Sequence, residues 1–581
     1  MSLRLRCCTV LVCIGLLVSS LPVLALTPPG SEPFAPGTQP IAPNEHAMKS
    51  LVPAKQHIDT GKTKFFLARL LGWTRDYEGS LNLYQELLRT YPDWDQARRE
   101  AARTAYWAKK NELGDRLYQE LFTPTVDTLL ARELETAASR EGSKALSQRL
   151  REYIPPDPES TVFTGYEILR QTQSQASATG PLPAKLQTIR RQLRAEYVFQ
   201  KRVWLEYKAK QAMWNKRFIR AKRRLQKLVQ LEPENREAWF DFAQSQCALG
   251  LCGQEAETYR QLLAIDPKHN LAQRALERQK TRSKPAIQAR YSAWREKGRG
   301  NLARMGRQQA DIRVDVPVAC QHGVTLTHSR FWENPDYGPS STAQGLGVQA
   351  RLRPNAFWSA TLAARFKDYL DGAYEDQSTG EFGLRFNAWD LAHVDFQYAR
   401  ENVLPNGYAL EQGIQKDRWR AELAPIITHS LSGHVGAEYS DYNDQNAGSR
   451  LDAALGYVLT DHPRQLEVTL SGEYRDTQHA SQETPQNITH PYWTPQNYLG
   501  TAVTLHWQHD LSRFQFCGSR KNIYDLQLTF GTDSDSNPSL ALKGKYKLDF
   551  KDHWGLELEG MIHESQNWDA RSLQMSLTYS F

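Results

Sequence analysis

What the chain lacks narrows it first. After the first thirty residues there is no unbroken apolar run of about 20 residues, which excludes a protein that crosses a membrane with helices. Cysteine is scarce, with seven in 581 residues, and Cys7, Cys8 and Cys13 fall inside the N-terminal apolar stretch. Cys247, Cys252, Cys320 and Cys517 remain; they are not spaced like zinc ligands, and in an oxidising compartment Cys247 and Cys252 could pair. There is no phosphate-cradling glycine loop, no H-E-x-x-H and no G-x-S-x-G, so no enzymatic activity and no cofactor are expected. No charge of one sign dominates, the net being +7. The basic run from Lys216 to Arg224 reads as the solvated face of a helix rather than a nucleic-acid site.

What is present points elsewhere. Aromatic residues make up 10% of a chain whose mean hydropathy is only −0.61, a combination that argues against disorder. The N-terminus places Arg4 and Arg6 before a short apolar core that ends Val23-Leu24-Ala25, the layout of a cleaved signal peptide over 1–25. Residues 26–60, rich in Pro, Thr and Ala, read as a flexible leader.

From 61 to 280 the apolar period is helical. Two segments, LQKLVQLEPEN and YRQLLAIDPKHN, carry Pro233 and Pro267 in the same frame, 34 residues apart, the tetratricopeptide period. Ala209, Ala221, Leu225 and Leu228 in one unit match Trp239, Ala243, Tyr259 and Leu262 in the next. An earlier unit puts Ala68, Ser80, Tyr84, Leu87 and Pro92 in that frame. The pattern predicts a solenoid of helix pairs that recruits other proteins, with the repeats degenerating between Pro124 and Leu193.

After Pro285 the period switches to two and holds to the end. Sixteen runs are predicted: 286–297, 308–317, 322–332, 344–353, 356–367, 377–388, 391–401, 412–425, 430–440, 449–459, 464–476, 496–509, 521–533, 538–549, 552–564 and 570–581. Their length exceeds the usual five or six residues of soluble strands, aromatics gather at their ends, and short turns alternate with longer loops. A soluble sandwich is the competing reading. These features favour an antiparallel transmembrane β-barrel of about 16 strands over 286–581. The whole is multi-domain, a tetratricopeptide-repeat helical domain followed by the barrel.

The polar face of these runs would line an aqueous lumen of mixed charge. Its bases are Arg351, Arg353, Arg365, Arg385, Arg418, Arg420, Lys543, Lys545 and Lys547. Its acids include Asp395, Glu422, Asp452, Glu467, Glu473, Glu557 and Glu559. They either pair across neighbouring strands or act directly in conduction. A lone His434 or His563 reads as a lumen-lining group. In the longest loop, Tyr492, Trp493, Gln496 and Tyr498 are groups that stack on and hydrogen-bond to sugars; the loop could equally fold inward as a constriction.

The order of parts, with the Pro233/Pro267 frame, the Tyr492-Trp493-Thr494-Pro495-Gln496 stretch and the terminal Tyr579-Ser580-Phe581, resembles the outer-membrane exopolysaccharide exporters of Gram-negative bacteria. The poly-N-acetylglucosamine porin and the cellulose-export subunit are examples. The resemblance implies an outer-membrane location, a periplasmic N-terminal domain, partners among biosynthetic or modifying proteins, and passive conduction of a polysaccharide. The alternatives are a protein-translocating barrel of the surface lipoprotein assembly modifier type and a phage or adhesion receptor.

Overall fold

The computed structural model describes residues 60–121 and 184–581, apart from 301, 319, 320, 389, 484–487 and 552. The segments expected to be a signal peptide and a leader, most of the interval 124–193 and Cys320 lie outside the described residues.

Helices come first: α1 Thr60–Trp73, α2 Tyr77–Thr90, α3 Asp95–Trp107, α4 Asn111–Gln119, α5 Ala184–Trp214, α6 Phe218–Leu231, α7 Arg236–Ala248, α8 Cys252–Ile265 and α9 Asn270–Arg282. Their starts are chemically marked. Asp76 accepts from Gly79 N at 2.9 Å, and Asn235 accepts from Ala238 N at 3.0 Å, each satisfying a backbone donor that the first helical turn leaves unpaired. Their ends are marked by proline, since α2, α6 and α8 each stop two residues before Pro92, Pro233 or Pro267. The in-frame small and apolar residues do the packing. Ala68, Ala209, Ala221, Leu225, Leu228, Ala243, Tyr259 and Leu262 are fully buried. Alanine at these crossings lets paired helices approach closely, while leucine and tyrosine fill the space beside them.

The rest is one closed barrel. Its strands are β1 Ala286–Gly298, β2 Ala303–Val318, β3 His322–Pro335, β4 Ser341–Leu352, β5 Trp358–Tyr369, β6 Gln377–Asn387, β7 Ala392–Asn402, β8 Gln415–Pro425, β9 Leu431–Tyr442, β10 Ala447–Thr460 and β11 Arg464–Thr477. They continue as β14 Tyr498–Asp510, β15 Asn522–Asp533, β16 Ser539–Phe550, β17 Trp554–Ser565 and β18 Trp568–Ser580. Two short strands, β12 Gln482–Glu483 and β13 Ile488–Thr489, pair with each other in the longest loop. A one-turn helix, α10 Gly407–Glu411, sits between β7 and β8.

Every predicted run is a barrel strand. The first and last pair antiparallel from Ala286↔Ser580 to Gly298↔Trp568, so no edge is left unpaired. The period of two sorts the side chains. Leu362, Phe382, Val435, Leu451, Leu470, Leu526 and Leu573 are exposed on the outside, an apolar belt whose solvent is lipid. No helix among the described residues is long and apolar enough to cross a membrane; the strands make the crossing. Leu470 is 60% exposed in the middle of β11, with Leu455 and Val503 as outward register partners. Leu470→Arg should destabilise the barrel by about 2–4 kcal/mol, the depth-dependent penalty for a charge on the lipid face, measured by denaturant titration in vesicles.

Candidate functional site

The lumen is built by the polar phase of the strands. The predicted residues on strands face inward, and most are held in pairs across neighbouring strands. Arg385 donates through two nitrogens to Asp395, at 2.6 and 3.1 Å. Arg365 lies 3.7 Å from Glu381. Arg418 reaches Glu401 at 2.8 Å. Arg420 is the centre of a larger lattice, bonding Glu422 and meeting Asp452 at 3.0 Å and Glu438 at 3.4 Å. His434 closes on Asp452 at 2.8 Å, and Arg450 joins Asp452 to Glu473. Lys543 pairs with Glu559, and Lys545 with Glu557, both at 2.7 Å. Glu467 lies 4.0 Å from His506. Arg351 and Lys547 have no ion pair among the described residues. Arg353 stands apart in the β4–β5 turn, where it donates to the Leu249 carbonyl at 3.2 Å. Charged groups this regularly opposed cancel locally, leaving a hydrated wall without a field of one sign.

The loop residues are engaged within the protein. Tyr492 is buried, stacked 4.4 Å from Tyr442, and donates to Asp444 at 2.9 Å. Trp493 lies between the guanidinium groups of Arg299 at 3.9 Å and Arg475 at 5.1 Å, with its edge against Tyr498. Gln496 donates to the Thr477 carbonyl at 2.6 Å. The 488–497 part of the loop therefore folds toward the wall and narrows the mouth.

A second constriction was not singled out from the sequence. Between β7 and β8, Asn406 caps α10 and donates to the carbonyls of Leu302 and Pro491, each at 2.8 Å, tying the two loops together. Leu410 packs on Met305, Ala343 and Tyr369, all inward-facing wall residues, so this loop enters the barrel. Its only signal was the Pro405-Asn406-Gly407 start of a short helix.

The opposite mouth is covered by the helices. Arg75 donates to the Arg513 carbonyl at 2.7 Å, Arg220 N to Asp390 at 2.9 Å, and Arg278 to Asp549 at 3.0 Å. His429 meets the Trp214 carbonyl at 3.1 Å. Cys247 is disulfide-bonded to Cys517, 270 residues away, and not to Cys252 as the spacing had allowed. The reason is geometric: Cys247 ends α7 facing the β14–β15 loop, where Phe516 packs into the helical core beside Tyr259 and Leu262. Leu249, two residues on, is held by Arg353 from the β4–β5 turn. Between those two hairpins lie six strands in either direction around the ring. They are diametrically opposed, and the α7–α8 turn is tied to both, with Gly250 lying against the Arg353 side chain at the β4–β5 turn.

No protein-family profile matches the chain, and no curated protein does. Among solved structures, a bacterial polysaccharide outer membrane secretin is similar at 12% identity and a TM-score of 0.41, over 52% of this chain and 99% of that one. Pseudomonas aeruginosa OccD3 (OpdP) is similar at 9% identity and 0.30, over 51% of this chain and 91% of that one. Acinetobacter baumannii OccAB1 is similar at 8% and 0.30, over 51% and 96%.

Proposed function

We propose that the protein is an outer-membrane conduit through which an exopolysaccharide leaves the cell. The helical segment lies in the periplasm as a repeat scaffold of the tetratricopeptide kind, recruiting synthase or modifying partners. One observation carries the reading: a closed barrel encloses a continuous wall of mutually neutralised charge, joined at one mouth to a helical cap. Such a wall hydrogen-bonds glycan hydroxyls throughout and holds them tightly nowhere, which suits sliding of a hydrated chain. An even-stranded antiparallel barrel whose longest loop, 478–497, lies at the mouth away from the helices supports the outer membrane, with the helix-bearing mouth inward. The 34-residue proline frame and its buried alanines support the repeats.

Gene deletion with quantification of extracellular polysaccharide tests this reading. Loss of polymer, restored by the intact gene, is expected. Unchanged polymer with a lipoprotein stranded in the periplasm would replace it with the protein-translocating reading.

A further inference from the structure

The outer surface of the barrel carries a feature that neither conduction nor docking uses. On β1, Arg295 and Lys297 share the outward phase of Ile287 and Tyr291; on β18, Arg571 shares that of Leu573 and Met575; on β2, Arg304 shares that of Ile312 and Val316. Register sets Arg295 directly opposite Arg571, and Lys297 directly opposite Arg304. Like charges facing each other across a ladder destabilise it, and here two such pairs adjoin at the end of the strands remote from the helices. The acids nearby offset one member of each pair only, Asp569 being the other register partner of Lys297. Asp569 is 4.0 Å from Lys297 and Glu564 is 3.7 Å from Arg571, while Arg295 and Arg304 have no carboxylate partner among the described residues.

About 13 Å further down the same strands, small residues open a groove in the lipid-facing belt. Ala289 and Ala310 form its floor, and Tyr291, Ile312, Met575 and Leu577 its sides, enclosing ≈ 560 Å³. Arg330, the register partner of Ala310, stands at its rim.

We propose that β18, β1 and β2 form a binding site for a phosphorylated glycolipid of the outer leaflet. The phosphate would lie between Arg295 and Arg571, with Lys297 and Arg304 beyond, and an acyl chain would fill the groove. Guanidinium forks match phosphate oxygens in paired hydrogen bonds. An anion there turns the register's repulsion into attraction. The site rests on the orientation proposed above and is independent of the cargo.

The test is a binding titration on the full chain in detergent, with lipopolysaccharide, enzymatically dephosphorylated lipopolysaccharide and inorganic phosphate as probes. Lipopolysaccharide should bind, and the R295Q/R571Q variant should bind it about tenfold or more weakly. The A310W variant, which fills the groove and keeps the arginines, should also bind it more weakly. Retention of the heat-dependent electrophoretic shift shows that each variant folds. Equal binding by R295Q/R571Q, or equal binding of the dephosphorylated probe to the unaltered chain, overturns the site. Inorganic phosphate competing at the same concentration as lipopolysaccharide would show a free-anion site and overturn the glycolipid. These outcomes do not depend on export, so failure here and failure of the conduit reading are distinguishable.

Discussion

Glu206→Ala should unfold the helical segment while leaving the barrel closed. Glu206 is buried on α5 and accepts from Arg103 through Nε at 2.5 Å and Nη2 at 2.8 Å, from Arg99, and from the Tyr118 hydroxyl at 2.7 Å. Arg99 also binds Glu232 at 2.7 Å, so the cluster ties α3, α4 and α5 to the residue that follows α6. Alanine would leave two buried guanidinium groups short of a counter-charge, a loss of about 3–5 kcal/mol. The measurement is loss of helical circular dichroism with the heat-modifiable electrophoretic shift retained. Removing the exposed pair Lys64–Glu86, by contrast, should change nothing measurable.

The cluster also has a pH signature. Burial alone would raise the Glu206 carboxyl, but the Arg103 and Arg99 charges outweigh it and hold the group well below the usual carboxylate range. Its stabilisation is therefore complete above the unfolded carboxylate pKa and is lost as the pH falls through the lower folded value.

Cys517→Ser should raise single-channel conductance in a planar bilayer, and reduction of the unaltered protein should do the same. The disulfide ties the α7–α8 turn to the β14–β15 loop across the mouth, alongside Arg353, Phe516 packing and the disulfide that Cys252 also makes. Unchanged conductance would show that the turn is not the barrier. Glu255 adds a pH dependence. It is buried beside Arg282, whose guanidinium also lies 3.7 Å from the Cys247 Sγ. Burial raises its pKa to about 7, with Arg282 only partly countering. Its contribution to the docked state is full below the ordinary carboxylate range and is lost as the pH rises through about 7. In the serine variant, conductance should climb further across that interval.

The barrel was legible in the sequence because its physics is local. Alternation in AFWSATLAARF or WGLELEGMIH reports two faces residue by residue, and all sixteen runs were recovered, with ends within three residues except for β2, which starts at Ala303 and not 308. The helical character of 61–280 and the prolines that follow α2, α6 and α8 were legible for a similar reason, since proline and alanine act on their own helix and its immediate partner. What stayed hidden depends on residues far apart in the chain. Glu206, Arg99 and Arg103 were not singled out, because nothing nearby in sequence announces their burial. Cys247 and Cys252, five residues apart, suggested a short-range pair, whereas the bonded partner lies 270 residues on. The inward folding of Tyr492 and Trp493 follows in part from Tyr442 and Arg299, on other hairpins.

Only Ser283, Lys284 and Pro285 separate α9 from β1, and both ends of that joint are pinned: Gln279 bonds Ser283 at 3.0 Å, and Phe581 N bonds the Pro285 carbonyl at 3.1 Å. The helical segment thus has no free arm on which to swing away from the barrel. Any uncovering of the mouth has to come from shifts of the helices against one another. The cap behaves as a spring fixed at its base, not as a door on a hinge.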